Sequence, residues 1–560
     1  MQSDRTVLLE VDHPQSYEAR AALAPFAELE KAPEHVHTYR ITPLALWNAR
    51  AAGHDAEQAV DTLLKYSRYD LPQALLIDIV DTMSRYGRLV LENDPIFGLV
   101  LRSTDPAVLA EVRRSKVSSL LGDLVGPDLV QIQPAVRGRL KQALIKIGWP
   151  ADDRAGYVDG SAFAMGWSRD DKEFHVRTYQ QHAADAFWAG GSGVVVLPCG
   201  AGKTVVGMAA MIKAQATTLI LVTNTVSARQ WRAEILARTD VREEDIGEYS
   251  GERKEIRAIT IATYQVMISR KKGEFLHLDV FDAQDWGLVI YDEVHLLPAP
   301  VFRATADLQS RRRLGLTATL IREDGQETDV FTLIGPKRFD IPWKDLEAQG
   351  WIAEAECVEV RVTLTDAERM NYALSDPDES YRIGASARSK IEVVKKLVAD
   401  HPNDLVLVIG QFIDQLEQLA GHLDAPIITG KSTTRERQRL YDQFRHGEIP
   451  VLVVSKVANF SIDLPDASVA IQVSGTFGSR QEEAQRLGRV LRPKKDGRPA
   501  RFYSVVSRDT NDQSFAANRQ RFLAEQGYAY TIVDAAEILG SSSPATDAGH
   551  QSDDEPDPVE

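Results

Sequence analysis

The sequence predicts an α/β fold of two tandem parallel-sheet lobes preceded by a mixed α/β region. Three observations carry this. From residue 171, short apolar runs ("GVVVL", "TTLILVT", "RAITIAT", "WGLVIYDE", "RRLGLTAT") alternate with amphipathic helical stretches, the texture of buried parallel strands in βαβ units. The alternation returns after residue 400 in "DLVLVIG", "APIITG", "IPVLVVS", "ASVAIQVS" and "ARFYSVVS". A glycine-rich turn opening a helix stands in the first series, so one nucleotide is expected in a cleft between the two lobes.

Residues 1–170 come first in the chain. "RTVLLEVD" reads as a strand, and "TPLALWNARAAGHDAEQAVDTLLKYS" and "LPQALLIDIVDTMSRYG" have helical spacing with Thr/Pro starts. "GRLVLEND" and "GLVLRST" read as a hairpin, and "DPAVLAEVRRSKVSSLLGDLVG" as a further helix. Such a cluster could be a winged-helix-like module or a packing domain. Residues 341–400 read as a connection between the lobes, and include "LTDAERMNYALSDPDESYRIG", polar, helix-prone and too irregular to be core. The tail 541–560 carries six carboxylates and no Lys or Arg and reads as a disordered solvating segment.

The 560 residues suggest three or four domains. Hydrophobic residues at 44% and charged residues at 26% are an ordinary globular balance. No apolar run is long enough to span a membrane. Two cysteines, Cys199 and Cys357, offer no disulfide framework or metal spacing, which fits a reducing cytosol. A net charge of −16 excludes a wholly basic nucleic-acid coat, though a local basic channel remains compatible with it.

The chemistry begins at "LPCGAGKT", residues 197–204. Across Pro198, Cys199, Gly200, Ala201 and Gly202 the backbone can approach phosphate, with Gly200 and Gly202 permitting the turn. Lys203 supplies a point charge to the β- and γ-phosphates and Thr204 a hydroxyl to Mg²⁺. Leu197 stands where the strict pattern has its first glycine. "GLVIYDEVH" (287–295) is an apolar strand ending in two carboxylates. Asp292 can hold Mg²⁺, and Glu293 can orient and deprotonate the attacking water. "QRLGRVLRPKK" (485–495) places Arg486, Arg489 and Arg492 on one face of a predicted helix in the opposite lobe, where an arginine could stabilise transition-state charge.

With these residues in view, the chain resembles a superfamily 2 helicase of the XPB family over about residues 171–510. "VRTYQ" (176–180) resembles the adenine-reading motif, "LVTNTVSARQWRAE" (221–234) motif Ia, "TIATYQVM" (260–267) motif Ic, and "YDEVH" motif II. "GLTATLIRED" (315–324) joins motif III to an Arg-Glu-Asp triplet, the most family-specific feature. "SKVANFSIDLP" (455–465) and "SRQEEAQRLGRVLRPK" (479–494) resemble motifs V and VI. Thr178 replaces a proline of the pattern, Ala458-Asn459 a frequent Gly-Asp, and Ser461 a glycine.

The resemblance implies two RecA-like lobes, at 171–340 and 341–535, with a thumb-like insertion near 363–386. It also implies a helical or winged-helix-like region over 1–90, a damage-recognition-like region over 91–170, and an acidic tail from 536. The implied activity is ATP-dependent 3′–5′ DNA unwinding in repair, with ATP and Mg²⁺. The implied partners are single-stranded, forked or damaged duplex DNA and a nuclease, with no membrane, in the cytoplasm at the nucleoid. Arg177, Gln180, Asp463 and Gln485 would join the phosphate loop in holding nucleotide. Thr225, Arg229, Thr263, Thr429 and Lys431 would meet the sugar–phosphate track. Thr317, Thr319, Arg322, Glu323 and Asp324 would couple the two sites. A duplex translocase without strand separation and a regulatory ATP-binding scaffold are the alternatives.

Overall fold

The computed structural model describes residues 1–2, 4–31, 35–169, 174–198, 200–271, 274–275, 277–298, 301, 305, 309, 311–318, 327–341, 343–351, 354–455, 467–475, 499–525, 528 and 530–540. Cys199, Thr319, Arg322, Glu323, Asp324, Asp463, Gln485, Arg486, Arg489 and Arg492 lie outside the described residues.

Each lobe is built on seven parallel strands. In lobe one the order is Ile246–Tyr249, Ile259–Thr263, Thr218–Val222, Leu288–Asp292, Arg312–Thr317, Gly193–Val196, Lys337–Asp340. Side chains alternate across it: Val195, Ile220, Ile290 and Leu316 face one apolar layer, and Val194, Leu219 and Val289 the other. A sheet covered on both faces needs this, and it explains the unbroken apolar runs in the sequence.

Lobe two repeats the plan in the order Ile427–Ile428, Val451–Ser455, Val406–Gly410, Val469–Gln472, Ala500–Ser507, Ala355–Val362, Tyr530–Asp534. Two expectations are corrected here. Residues 341–400 do not merely connect the lobes, because Ala355–Val362 lies inside the second sheet between two parallel neighbours. Its charged positions hid it: Glu359 is 2% exposed, held by Arg361 Nε at 2.7 Å and by Gln520. The tail does not begin at 536. Ala535–Leu539 is a helix capped by the Asp534 carboxylate, with Ala535 and Ile538 packed on the lobe-two core. Residues 541–560 lie outside the described residues.

The stretch near 363–386 forms two helices, Asp366–Leu374 and Pro377–Ala385. The first buries nothing of its own, but the second is not solvated throughout. Tyr381 is buried, packs edge-on against Phe515 at 4.8 Å, and its hydroxyl donates to the Gly475 carbonyl.

The region before the lobes has two separate apolar cores. One gathers residues from Val7 to Met83 around the antiparallel strands Thr6–Glu10, Val36–Arg40 and Glu28–Lys31. The other gathers residues from Leu89 to Ala155 around a five-stranded mixed sheet that begins with Leu89–Asp94. Leu89 and Val90 therefore belong to the second sheet's strand, not to a unit ending at 90.

Both N-terminal units dock on the outer edge of lobe one. Trp47, Ile145 and Phe331 bury one another there, and Asn48 Oδ1 accepts from Lys337 N at 3.0 Å. Arg338 pins the edge, donating to the carbonyls of Ser192 at 2.9 Å, Gly190 at 3.0 Å and Ala51 at 3.5 Å. Arg338→Ala would leave these acceptors without their donor. It is expected to destabilise the chain by about 1–3 kcal/mol in denaturant melts.

Candidate functional site

Parallel register brings the ends of three strands side by side. Val196 pairs with Thr317, and Leu316 with Asp292, so the phosphate loop, motif II and motif III leave the sheet at one carboxyl edge. Ligands of open α/β sheets bind outside that edge.

The loop runs into the helix Lys203–Ala214, whose first-turn N–H groups and dipole favour an anion. Gly202 has φ +81°, and a Cβ there would meet Gln180 Nε2 at 2.3 Å. Gly200 has the same φ. The Ala201 carbonyl accepts from Tyr179 Oη at 2.7 Å and from Gln180 Nε2 at 2.9 Å. Gln180 Oε1 accepts from Arg177 N at 3.0 Å, and the Arg177 guanidinium lies 4.4 Å from the Trp351 ring centre. The segment that resembles an adenine reader is thus bonded to the phosphate loop. Thr178, where the pattern has proline, opens the helix Thr178–Gly190. Gly202→Ala is expected to weaken nucleotide binding by distorting this loop, seen in equilibrium titration with a fluorescent ATP analogue.

Lys203 Nζ donates to Glu293 Oε1 at 2.8 Å. Glu293 has φ +50° and ψ +55°, a left-handed backbone rare for a non-glycine residue and typical of functional turns. Burial raises its carboxyl, yet Lys203 and then His295 outweigh this and hold it below the usual carboxylate range. Asp292 behaves oppositely: burial and then the Glu293 charge push it up to about 6, against Lys203 and the Trp231 indole. With Lys203 bonded to it, Glu293 is the weaker proton acceptor of the pair, and an anion that drew Lys203 away would remove the main charge holding it down.

Thr317 enters the site through His295, whose Nδ1 lies 2.7 Å from Thr317 Oγ1 and 3.5 Å from Glu293 Oε2. Sequence reasoning overlooked His295, although it stands two residues after Glu293 in the quoted motif. It quoted Trp231 within motif Ia but gave it no role; Trp231 lies on the helix Thr225–Arg238, and its Nε1 donates to Asp292 Oδ2 at 2.9 Å.

Of the residues expected to meet the track, Thr225 opens that same helix, and exposed Arg229 lies 3.7 Å from Glu252. Thr429 and Lys431 follow the edge strand Ile427–Ile428, where Thr429 Oγ1 accepts from Lys431 N at 3.2 Å. Thr263 is different. It is 1% exposed and its hydroxyl caps the next helix, accepting from Val266 N, so its side chain does not face a track.

The family profile described as ERCC3/RAD25/XPB C-terminal helicase matches residues 346–554. Profiles described as type III restriction enzyme, res subunit, and as helicase conserved C-terminal domain match 173–322 and 1–123. A Kineococcus radiotolerans protein named DNA 3′-5′ helicase XPB is 69% identical over 541 residues, covering 96% of this chain and 97% of its own. The Mycobacterium tuberculosis protein of that name is 67% identical over 541 residues, covering 96% and 98%. A Haloarcula marismortui protein named putative DNA 3′-5′ helicase Rad25 is 35% identical over 529 residues, covering 94% and 82%. Identity of this order over nearly the whole length means that the chain belongs to the XPB family of superfamily 2 helicases.

Proposed function

We propose that this chain is an ATP-dependent DNA helicase that moves 3′ to 5′ and opens duplex during DNA repair. The observation that carries the chemistry is the Lys203–Glu293 contact at a strand edge beside Asp292. Lys203 Nζ donates to the carboxylate that would otherwise accept a proton. An incoming triphosphate competes for Lys203, and as the ammonium turns to phosphate, Glu293 is released to take the proton of the attacking water. The base thus becomes available only when there is substrate to cleave.

Mg²⁺ fits the residues present. Asp292 and Thr204 are hard oxygen donors, and Mg²⁺ is commonly held by one or two carboxylates plus substrate phosphates rather than by a protein cage. Among the described residues no cluster of three or more His, Cys, Asp and Glu suited to a metal occurs. When bound, Mg²⁺ would neutralise charge on the β- and γ-phosphates. Arg489 and Arg492 would approach from lobe two and stabilise the transition state.

DNA would run across Thr225 and Arg229 of lobe one and Thr429 and Lys431 of lobe two. Cyclic closure of the lobes would then move the strand. Such contacts use hydroxyls and backbone N–H groups more than net charge, compatible with a chain of formal charge −16. The N-terminal units would engage damaged DNA, with a nuclease acting on the opened product at the nucleoid. No helix among the described residues is long and apolar enough to cross a membrane. Titrating ATP turnover against single-stranded, forked and duplex DNA tests this reading. Stimulation greatest with forked or single-stranded DNA is expected, and turnover indifferent to DNA would favour a regulatory scaffold.

A further inference from the structure

Asp292 is fixed from three directions. Its Oδ2 accepts from Trp231 Nε1 at 2.9 Å and its Oδ1 from Glu293 N at 3.1 Å. Its main-chain carbonyl accepts from Tyr264 Oη at 2.9 Å. Two of these donors come from segments that follow neighbouring strands: Trp231 from the helix after Thr218–Val222, and Tyr264 from the turn of helix after Ile259–Thr263.

Trp231 touches the other half of the nucleotide site as well. Its ring lies against Gly207, one turn beyond Lys203 in the phosphate-loop helix, where a Cβ would meet Trp231 Cη2 at 2.4 Å. The indole is 2% exposed. One rigid side chain therefore spans the phosphate-loop helix and the motif II carboxylate, and it is carried on the helix that begins at Thr225 and includes Arg229.

We infer that Trp231 is a positioning residue: its indole N–H holds the Asp292 carboxylate in the orientation that receives Mg²⁺, and its helix links that orientation to the DNA track. The inference rests on the proposed ATPase reading. A carboxylate with one oxygen bonded to its own chain and the other to an indole has a fixed plane, and each oxygen keeps a lone pair for a metal-bound water. Without the indole donor the carboxylate keeps only its Oδ1 bond to Glu293 N, and a metal must then order the other oxygen on binding. Movement of the Thr225–Arg238 helix when a strand is engaged would act directly on Asp292.

The test uses the full chain and two substitutions. Trp231→Phe keeps a ring but removes the N–H. Gly207→Ala keeps the indole and adds one methyl that displaces it, at a position where alanine is intrinsically the better helix former. In both, the Mg²⁺ concentration for half-maximal ATP turnover is expected to rise, by about tenfold for Trp231→Phe. Affinity for a fluorescent ATP analogue in EDTA should stay unchanged, and the ratio of DNA-stimulated to basal turnover should fall. An unchanged Mg²⁺ requirement in both variants would overturn the inference. So would a parallel loss of metal-free nucleotide binding, which would make Trp231 only a packing residue. If the unsubstituted chain itself showed no Mg²⁺-dependent turnover, the ATPase reading would fall first, which separates the two failures.

Discussion

Lys203→Ala is expected to lower ATP turnover by on the order of 10²–10³-fold while leaving affinity for single-stranded DNA unchanged. The Lys203 ammonium lies at the start of the phosphate-loop helix and its partner is Glu293, inside the nucleotide site. Glu293 is not among the track candidates, so loss of Lys203 is expected to remove charge from the phosphates. Steady-state turnover and fluorescence anisotropy with labelled DNA, measured on one preparation, check this. Parallel loss of both would trace to a damaged fold instead.

Glu293→Gln should retain nucleotide and lose hydrolysis, by about 10²–10⁴-fold. The amide oxygen can still accept from Lys203, and the left-handed backbone at 293 need not change, so the geometry survives the substitution. What it cannot do is take a proton. It also competes less strongly than a carboxylate for Lys203, so ATP affinity should hold or tighten. Equilibrium binding paired with single-turnover hydrolysis separates these effects. Turnover close to that of the unsubstituted chain would remove Glu293 from the role of general base.

The strands that frame the site were legible in the sequence because a sheet buried on both faces writes itself as continuous apolar runs. "GVVVL" and "WGLVIYDE" are examples, and their ends fixed where Lys203 and Asp292 had to stand. Strands outside that rule were not legible. Ala355–Val362 carries Glu356, Glu359 and Arg361, and buried Glu359 is satisfied by Arg361 two residues on in the same strand and by Gln520, 161 residues away. The same limit applies within the site. Lys203, Asp292 and Glu293 announce themselves by type and local spacing. Trp231 and His295 stand inside motifs Ia and II, but they act through partners set by tertiary packing, 61 residues away for Asp292 and 22 for Thr317, which the motifs do not name. Thr263 shows the reverse case: a track residue by motif position, with its hydroxyl turned inward to cap a helix.

ATP hydrolysis in this chain is expected to drive directional strand separation. Displacement of a labelled strand from two partial duplexes, one with a 3′ and one with a 5′ single-stranded tail, tests it most directly when ATP turnover is followed in the same reactions. Displacement is expected from the 3′-tailed duplex, dependent on ATP and abolished in Lys203→Ala. DNA-stimulated turnover with no displacement from either duplex would contradict it and leave a translocase that does not separate strands.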